Sequence, residues 1–157
     1  MISALSIVTR SMPKVLLVLI GADIIKKTLV QQAEELGLID SIIFAGPQPH
    51  EKIPLWLNAS DLFVLPSYQE GMPVSLLEAL MCGKPVIATA VGGIPEVMTS
   101  PEYGILVEPR NVAQLSQALL EGFSKDWRED RIAQYGARFT WEAIAKRIRG
   151  IYEDVLT

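Results

Sequence analysis

The chain has one cysteine, Cys82, and one histidine, His50, in 157 residues. A single cysteine excludes an internal disulfide and fits a reducing, cytoplasmic compartment. Cys82 ends an apolar helical pattern and reads as a small core residue. His50 lies in a polar loop without the Cys, Asp or Ser companions of a nucleophilic triad, so it reads as a surface residue and not a general base. No group of His, Cys and acidic residues has metal-ligand spacing, and no metal is expected. The formal net charge is -4 and no basic cluster occurs, which argues against nucleic acid as a partner. The longest apolar run, Val15 to Ile20, falls far short of the about 18 residues of a membrane-spanning helix. It is also too short and too far in for the core of a signal peptide. Aromatic residues are few, and Trp56, Trp127 and Trp141 sit in helical patterns as packing residues. There is no internal repeat, low-complexity tract or linker.

What is present reads as one globular domain spanning residues 1–157. Half the residues are hydrophobic and a fifth are charged, and a chain of this size buries roughly 70% of its unfolded surface. Met1, Leu5, Val8 and Met12 recur at helical spacing, with Pro13 ending the helix. Val15 to Ile20, closed by Gly21, predicts a strand buried on both faces. Ile25, Leu29, Ala33 and Leu36 line a helix that Gly37 stops. Ser41 to Ala45 predicts a second strand, Glu51 to Asn58 a short helix, and Leu62 to Leu65 a third strand. Pro85 to Ala88 and Gly104 to Val107 predict two more strands, with a short helix started by Pro95 between them. Asn111 caps a helix bearing Val112, Leu115, Leu119 and Phe123. Residues 126–136 predict another helix, and Thr140 caps a last one along which Ile144, Ile148, Ile151 and Val155 recur. Strands alternating with helices imply an α/β fold, a Rossmann-like parallel sheet of about five strands with helices on its faces. In such sheets ligands bind beyond the carboxyl ends of the strands, where Gly21, Gly46, Ser67 to Met72 and Val91 to Gly93 all fall.

The densest of these stretches is Ser67 to Leu80. A strand enters it, an apolar helix leaves it, and Glu70 and Glu78 stand eight residues apart. Gly71 is free to take positive φ and admits a ligand close to the backbone. Pro73 fits the first turn of a helix, where a missing N–H is harmless. The amides of residues 72–75 then form a helix start that favours phosphate. A carboxylate receiving two vicinal hydroxyls makes strong charge-assisted hydrogen bonds, so Glu70 and Glu78 suit sugar or ribose. A strand-to-helix corner with both carboxylates solvated is the competing reading.

The run Glu70-Gly-Met-Pro73, followed by Glu78-Ala-Leu80, Gly83 and Pro85-Val-Ile-Ala-Thr89, resembles the donor-site signature of glycosyltransferase family 4. These are the group 1 glycosyltransferases of GT-B fold. The likeness extends over Val15 to Gly21, Ile43 to Gly46, Ala59 to Ser67, Val91 to Val97 and Gly104 to Val107, so nearly the whole chain is similar to the C-terminal, nucleotide-sugar-binding half of such enzymes. The resemblance implies that Glu70 is the catalytic-site carboxylate contacting the transferred sugar and that Glu78 binds the nucleotide ribose. Gly71, Met72 and Pro73 then offer amides near sugar and diphosphate, and Val74 and Ser75 continue the helix start. Gln48 and Pro49 follow the strand against which the family lays its base, and Gly21 opens a loop at the same cleft. Gly92 and Gly93 read as structural. The implied substrate is a UDP-, GDP- or ADP-sugar, with no cofactor, and the implied reaction is transfer to an acceptor hydroxyl with retention of configuration. A parent protein peripheral at a membrane is compatible with this. A non-catalytic module binding nucleotide-sugars or a partner protein is the alternative.

The resemblance begins after the family's first strand and after the loop whose arginine and lysine grip the donor diphosphate. Neither Arg10 nor Lys14 matches those positions. The expectation is therefore a partial domain, separated from its N-terminal acceptor-binding half and without transfer activity by itself. Two lost charged hydrogen bonds at about 1.5–3 kcal/mol each correspond to roughly a hundred- to ten-thousand-fold weaker donor binding. The absent strand is central in the family's sheet. The strands at 15–20 and 62–65 must then close on each other, expose their edges and self-associate, or borrow a strand.

Overall fold

Helix α1 (Ile2–Ser11) carries the packing scheme of the whole molecule, as seen in a computed structural model that describes residues 1–22 and 26–156. Its apolar residues face two ways. Ala4 and Val8 enter one core with Ile87, Val107, Leu115, Ala118 and Leu119. Ile2 and Leu5 enter another with Ala33, Leu38 and Ile42. The helix thereby wedges between two sheets that share no strand pairing among the described residues.

The first sheet contains β1 (Leu17–Ile20) and β2 (Ile42–Gly46), parallel, with Leu17 opposite Ile42 and Leu19 opposite Phe44. Helix α2 (Lys26–Glu35) connects them, and Leu38 N–H donates to Ala33 O just past its end. The expectation for Ile25 lies outside the described residues, and Leu36 falls beyond the helix and is exposed.

The second sheet has the order β3 (Phe63–Leu65), β4 (Val86–Thr89), β5 (Gly104–Val107), all parallel. β4 is central and every residue of it is buried. Alternation along the strand sends Val86 and Ala88 to one face and Ile87 to the other. On the first face lie α3 (Ile53–Asn58), α4 (Val74–Met81), α5 (Ile94–Val97) and α7 (Glu129–Gly136). Helix α6 (Val112–Ser124) covers the second face together with α1. Asn111 caps α6 through a hydrogen bond from Gln114 N–H to its Oδ1 at 3.0 Å. Helices α4 and α7 approach so closely that a Cβ at Gly136 would lie 2.4–2.5 Å from the backbone of Leu80 and Met81. Lys84, 6% exposed, is held there by both carboxylate oxygens of Glu129 at 3.3 Å.

The α/β class and the five parallel strands agree with the sequence reading. The strand expected over Val15 to Ile20 begins at Leu17, however, and it is not buried on both faces, since Ile20 is exposed and its other residues are half-buried. The single sheet does not agree with the reading. Of the three outcomes expected for β1 and β3, the structure takes the one in which both keep an edge without a strand partner among the described residues. Two further expectations are corrected. Trp141 is 84% exposed and packs no core, whereas Trp56 and Trp127 are half-buried. Helix α8 (Trp141–Leu156) has the apolar spacing foreseen for it but buries none of its described residues. No helix among the described residues is long and apolar enough to cross a membrane.

Candidate functional site

Parallel strands put their carboxyl ends on one side, and the loops leaving those ends are tied to one another. In the first sheet Gly21 N–H donates to Gly46 O at 3.1 Å, joining the ends of β1 and β2. In the second, Thr89 Oγ1 donates to Ser67 O at 2.6 Å, joining β4 to the loop after β3. That loop, Ser67 to Pro73, is then supported from beneath by Gly92 and Gly93. Gly93 N–H donates to Gly71 O at 2.8 Å. Gly92 takes φ 54°, and a Cβ on it would sit 2.0 Å from Glu70 O. Both glycines are therefore structural, as expected, and what they support is the Glu70–Met72 backbone.

Gly71 differs from them. It does not adopt positive φ, so the anticipated conformational need is absent. A Cβ placed on it meets nothing within 4 Å. The glycine leaves open space over the backbone, which is the feature close ligand approach requires. Pro73 is likewise shifted from its expected place. It is the buried N-cap residue, with φ -73° and ψ 118°, and Val74 is the first helical residue. No side chain caps α4. The amides of Val74 and Ser75 lie in its first turn, where an α-helix has no internal acceptors to offer. Met72 and Val74 are exposed beside them, and Ser75 is half-buried.

Glu70 is half-buried and its Oε1 accepts a hydrogen bond from Ser67 Oγ at 2.6 Å. Three residues separate these two, so the loop fixes its own carboxylate. Tyr68, between them, is exposed and carries the Arg110 guanidinium 5.3 Å from its ring centre. Arg110 holds φ 63°, a left-handed conformation unusual for a side-chain-bearing residue. Glu78, in the second turn of α4, has a side chain 19% exposed, with Oε1 3.4 Å from His50 Nδ1. The expected surface position of His50 is correct, since its side chain is 85% exposed. Its contact with Glu78 is what sequence reasoning missed. Cys82, one turn after Glu78, caps α4. Burial pushes its thiol up, the Glu78 carboxylate adds to that rise, and Lys84 opposes it.

The remaining candidates are less free. Gln48 is committed within the fold, donating to Ala45 O at 2.8 Å and accepting from Trp56 Nε1 at 3.3 Å. Pro49 is exposed, and its carbonyl accepts from Lys52 N–H at 2.9 Å. Gly21 has φ 151°, a conformation that explains its glycine without a ligand. No group of three or more His, Cys, Asp or Glu among the described residues is placed to hold a metal ion. Two surface cavities lie away from these loops. One of about 610 Å³ is lined by Tyr103, Arg131, Tyr135 and Arg138, and one of about 240 Å³ by Lys125, Trp127 and Arg128, each with Glu102 at its margin. Neither is lined by Glu70 or Glu78. The loop after β3 and the start of α4 form the wall on which the candidate residues stand, apart from both cavities.

Residues 1–139 match the family described as glycosyl transferases group 1. Among similar proteins of named activity is D-inositol 3-phosphate glycosyltransferase of Mycolicibacterium smegmatis, 34% identical over 132 residues, 83% of this chain and 30% of that protein. The Corynebacterium jeikeium protein of the same name is 32% identical over 78% of this chain and 30% of its own length. The chain thus spans about 30% of these relatives. Among solved structures, the C-terminal domain of a group 1 glycosyl transferase from Francisella tularensis is 32% identical, with TM-score 0.74 over 94% of this chain and 76% of that one. An Anabaena protein solved in complex with UDP is 27% identical, with TM-score 0.83 over 98% of this chain and 44% of that one. The matched region takes in every residue of the wall described above, and the chain belongs to the group 1 glycosyltransferases, with the GT-B type of fold.

Proposed function

We propose that this chain is the donor-binding part of a retaining glycosyltransferase that transfers a sugar from a nucleotide-sugar to an acceptor hydroxyl. The observation that carries this reading is one stretch, the loop after β3 and the start of α4, bearing four complementary features. They are a carboxylate fixed by Ser67, open space over Gly71, an uncapped helix start at Val74, and a second, shielded carboxylate at Glu78. Glu78 accepts the ribose hydroxyls, the α4 amides face the diphosphate, and Glu70 accepts hydroxyls of the transferred sugar. In the reaction the bond between the anomeric carbon and the diphosphate oxygen breaks. The acceptor oxygen forms the new bond on the same face of the sugar and gives up its proton, and the nucleoside diphosphate departs. The acceptor and the groups that take its proton belong to parts of the protein beyond this donor-side wall. The Anabaena protein solved with UDP supports a nucleoside diphosphate as ligand. The single cysteine fits a cytoplasmic setting.

The test is calorimetric titration of the chain with UDP-, GDP- and ADP-sugars. Saturable binding at millimolar concentration or tighter is expected for one base. Glu78→Ala should weaken it by about ten- to a hundredfold, the equivalent of one charge-assisted hydrogen bond. No binding of any of the three at several millimolar would overturn the donor-site reading and leave the non-catalytic scaffold.

A further inference from the structure

The contact between His50 and Glu78 joins two separate parts of the fold. His50 follows β2, in the first sheet, whereas Glu78 lies on α4, which packs on the second. The two sheets share no strand pairing among the described residues, so this pair crosses between them at the candidate site. Among the described residues His50 is the only partner of the Glu78 carboxylate that the contacts reveal. The Glu78 side chain is 19% exposed and one of its oxygens lies within reach of the imidazole, so the carboxylate has a neighbour on the protein before any ligand arrives.

We infer that His50 is a positioning residue that holds Glu78 for the ribose hydroxyls, an inference resting on the donor-site reading above. The hydrogen-bond arithmetic permits both at once. An ionised carboxylate offers about four acceptor positions and a vicinal diol donates two hydrogens. The imidazole Nδ1 lies 3.4 Å from Oε1 and carries at most one hydrogen, which leaves about three acceptor positions of the carboxylate for the diol. Ordering the carboxylate in advance lowers the conformational entropy lost on binding. The effect is modest because His50 is 85% exposed and water screens the pair.

The experiment titrates the full chain and its variants with UDP, GDP and ADP, each beside its 2′,3′-dideoxy counterpart. His50→Ala is expected to weaken the best-bound ribonucleotide about two- to fivefold, the range of an exposed pair. It should leave the dideoxy counterpart unchanged and have no effect in a Glu78→Ala background. His50→Asn, whose amide nitrogen replaces Nδ1, should restore ribonucleotide affinity. Equal weakening of the ribo- and dideoxy ligands would mark a merely structural role and overturn the inference. So would unchanged binding, or tighter binding, which would mean that the imidazole competes with the ligand. The underlying reading fails separately. That happens if Glu78→Ala, with His50 intact, weakens the ribo- and dideoxy ligands alike, or if the unaltered chain binds none of the three.

Discussion

Two glycines that lie side by side in the site should respond oppositely to the same added methyl group. At Gly92 an alanine must hold φ 54°, a left-handed conformation worth about 1–2 kcal/mol of strain in an L-residue. Its Cβ would also meet Glu70 O at 2.0 Å, inside the 3.0 Å below which real Cβ contacts essentially do not occur. The loop must retreat by about an ångström, which disrupts the hydrogen bond from Gly93 N–H to Gly71 O. That bond contributes about 1 kcal/mol, so Gly92→Ala should destabilise the chain by about 2–3 kcal/mol. Displaced with the loop, Glu70 should lose its contact with the sugar. At Gly71 nothing lies within 4 Å of the new Cβ and φ is not left-handed. Stability of Gly71→Ala should therefore stay within about 0.5 kcal/mol of the parent. The methyl instead occupies the space assigned to the donor and should weaken nucleotide-sugar binding tenfold or more, about 1.4 kcal/mol. Urea denaturation of both variants beside calorimetry with the nucleotide-sugar separates the two effects. The reasoning is refuted if Gly71→Ala binds normally, or if it unfolds as readily as Gly92→Ala.

Three further outcomes follow from the same geometry. Ser67→Ala removes the hydrogen bond that Ser67 Oγ gives the Glu70 carboxylate and should weaken the nucleotide-sugar by about three- to tenfold. Binding of the plain nucleoside diphosphate should be unaffected, and parallel titrations compare the two. Cys82 should alkylate more slowly than a free thiol because burial and Glu78 raise its pKa, and Glu78→Gln should speed the reaction, as followed by maleimide labelling over pH. With the thiol held neutral in the fold, this group stabilises below the unfolded value near 9.0 and withdraws that stability as pH rises through the higher folded value. Finally, the unpaired edges of β1 and β3 should make the isolated chain self-associate, seen as concentration-dependent mass in sedimentation equilibrium. A lysine at Val18 or Val64 should reduce the association, and a strictly monomeric parent chain would contradict this expectation.

The element order was legible because the strands are short apolar runs, three of them closed by Gly21, Gly46 and Pro66, and each helix has its own period. Asn111 announced the start of α6, and the structure shows the cap. Sheet pairing was harder to read. A strand pattern states which residues are extended but not which edges meet, and β1 and β3 separate into different sheets. The apolar spacing of α8 was real, yet periodicity identifies a face without saying what covers it, so Trp141 was misplaced in a core. His50 was dismissed for want of a triad. The signal that finds it is positional. It follows the carboxyl end of β2, and in a parallel α/β fold such loops converge with the start of α4. Of the two uses read for Gly71, positive φ and close ligand approach, the structure removes the first and leaves open space for the second.

The most direct test of the donor wall is an amide-resolved NMR titration of the chain with the nucleotide-sugar that binds best. The account predicts saturable shifts centred on the amides of Gly71, Met72, Val74 and Ser75, abolished in Glu78→Ala. Saturable shifts confined to the Tyr103, Arg131 and Tyr135 groove, with residues 70–78 silent, would contradict it.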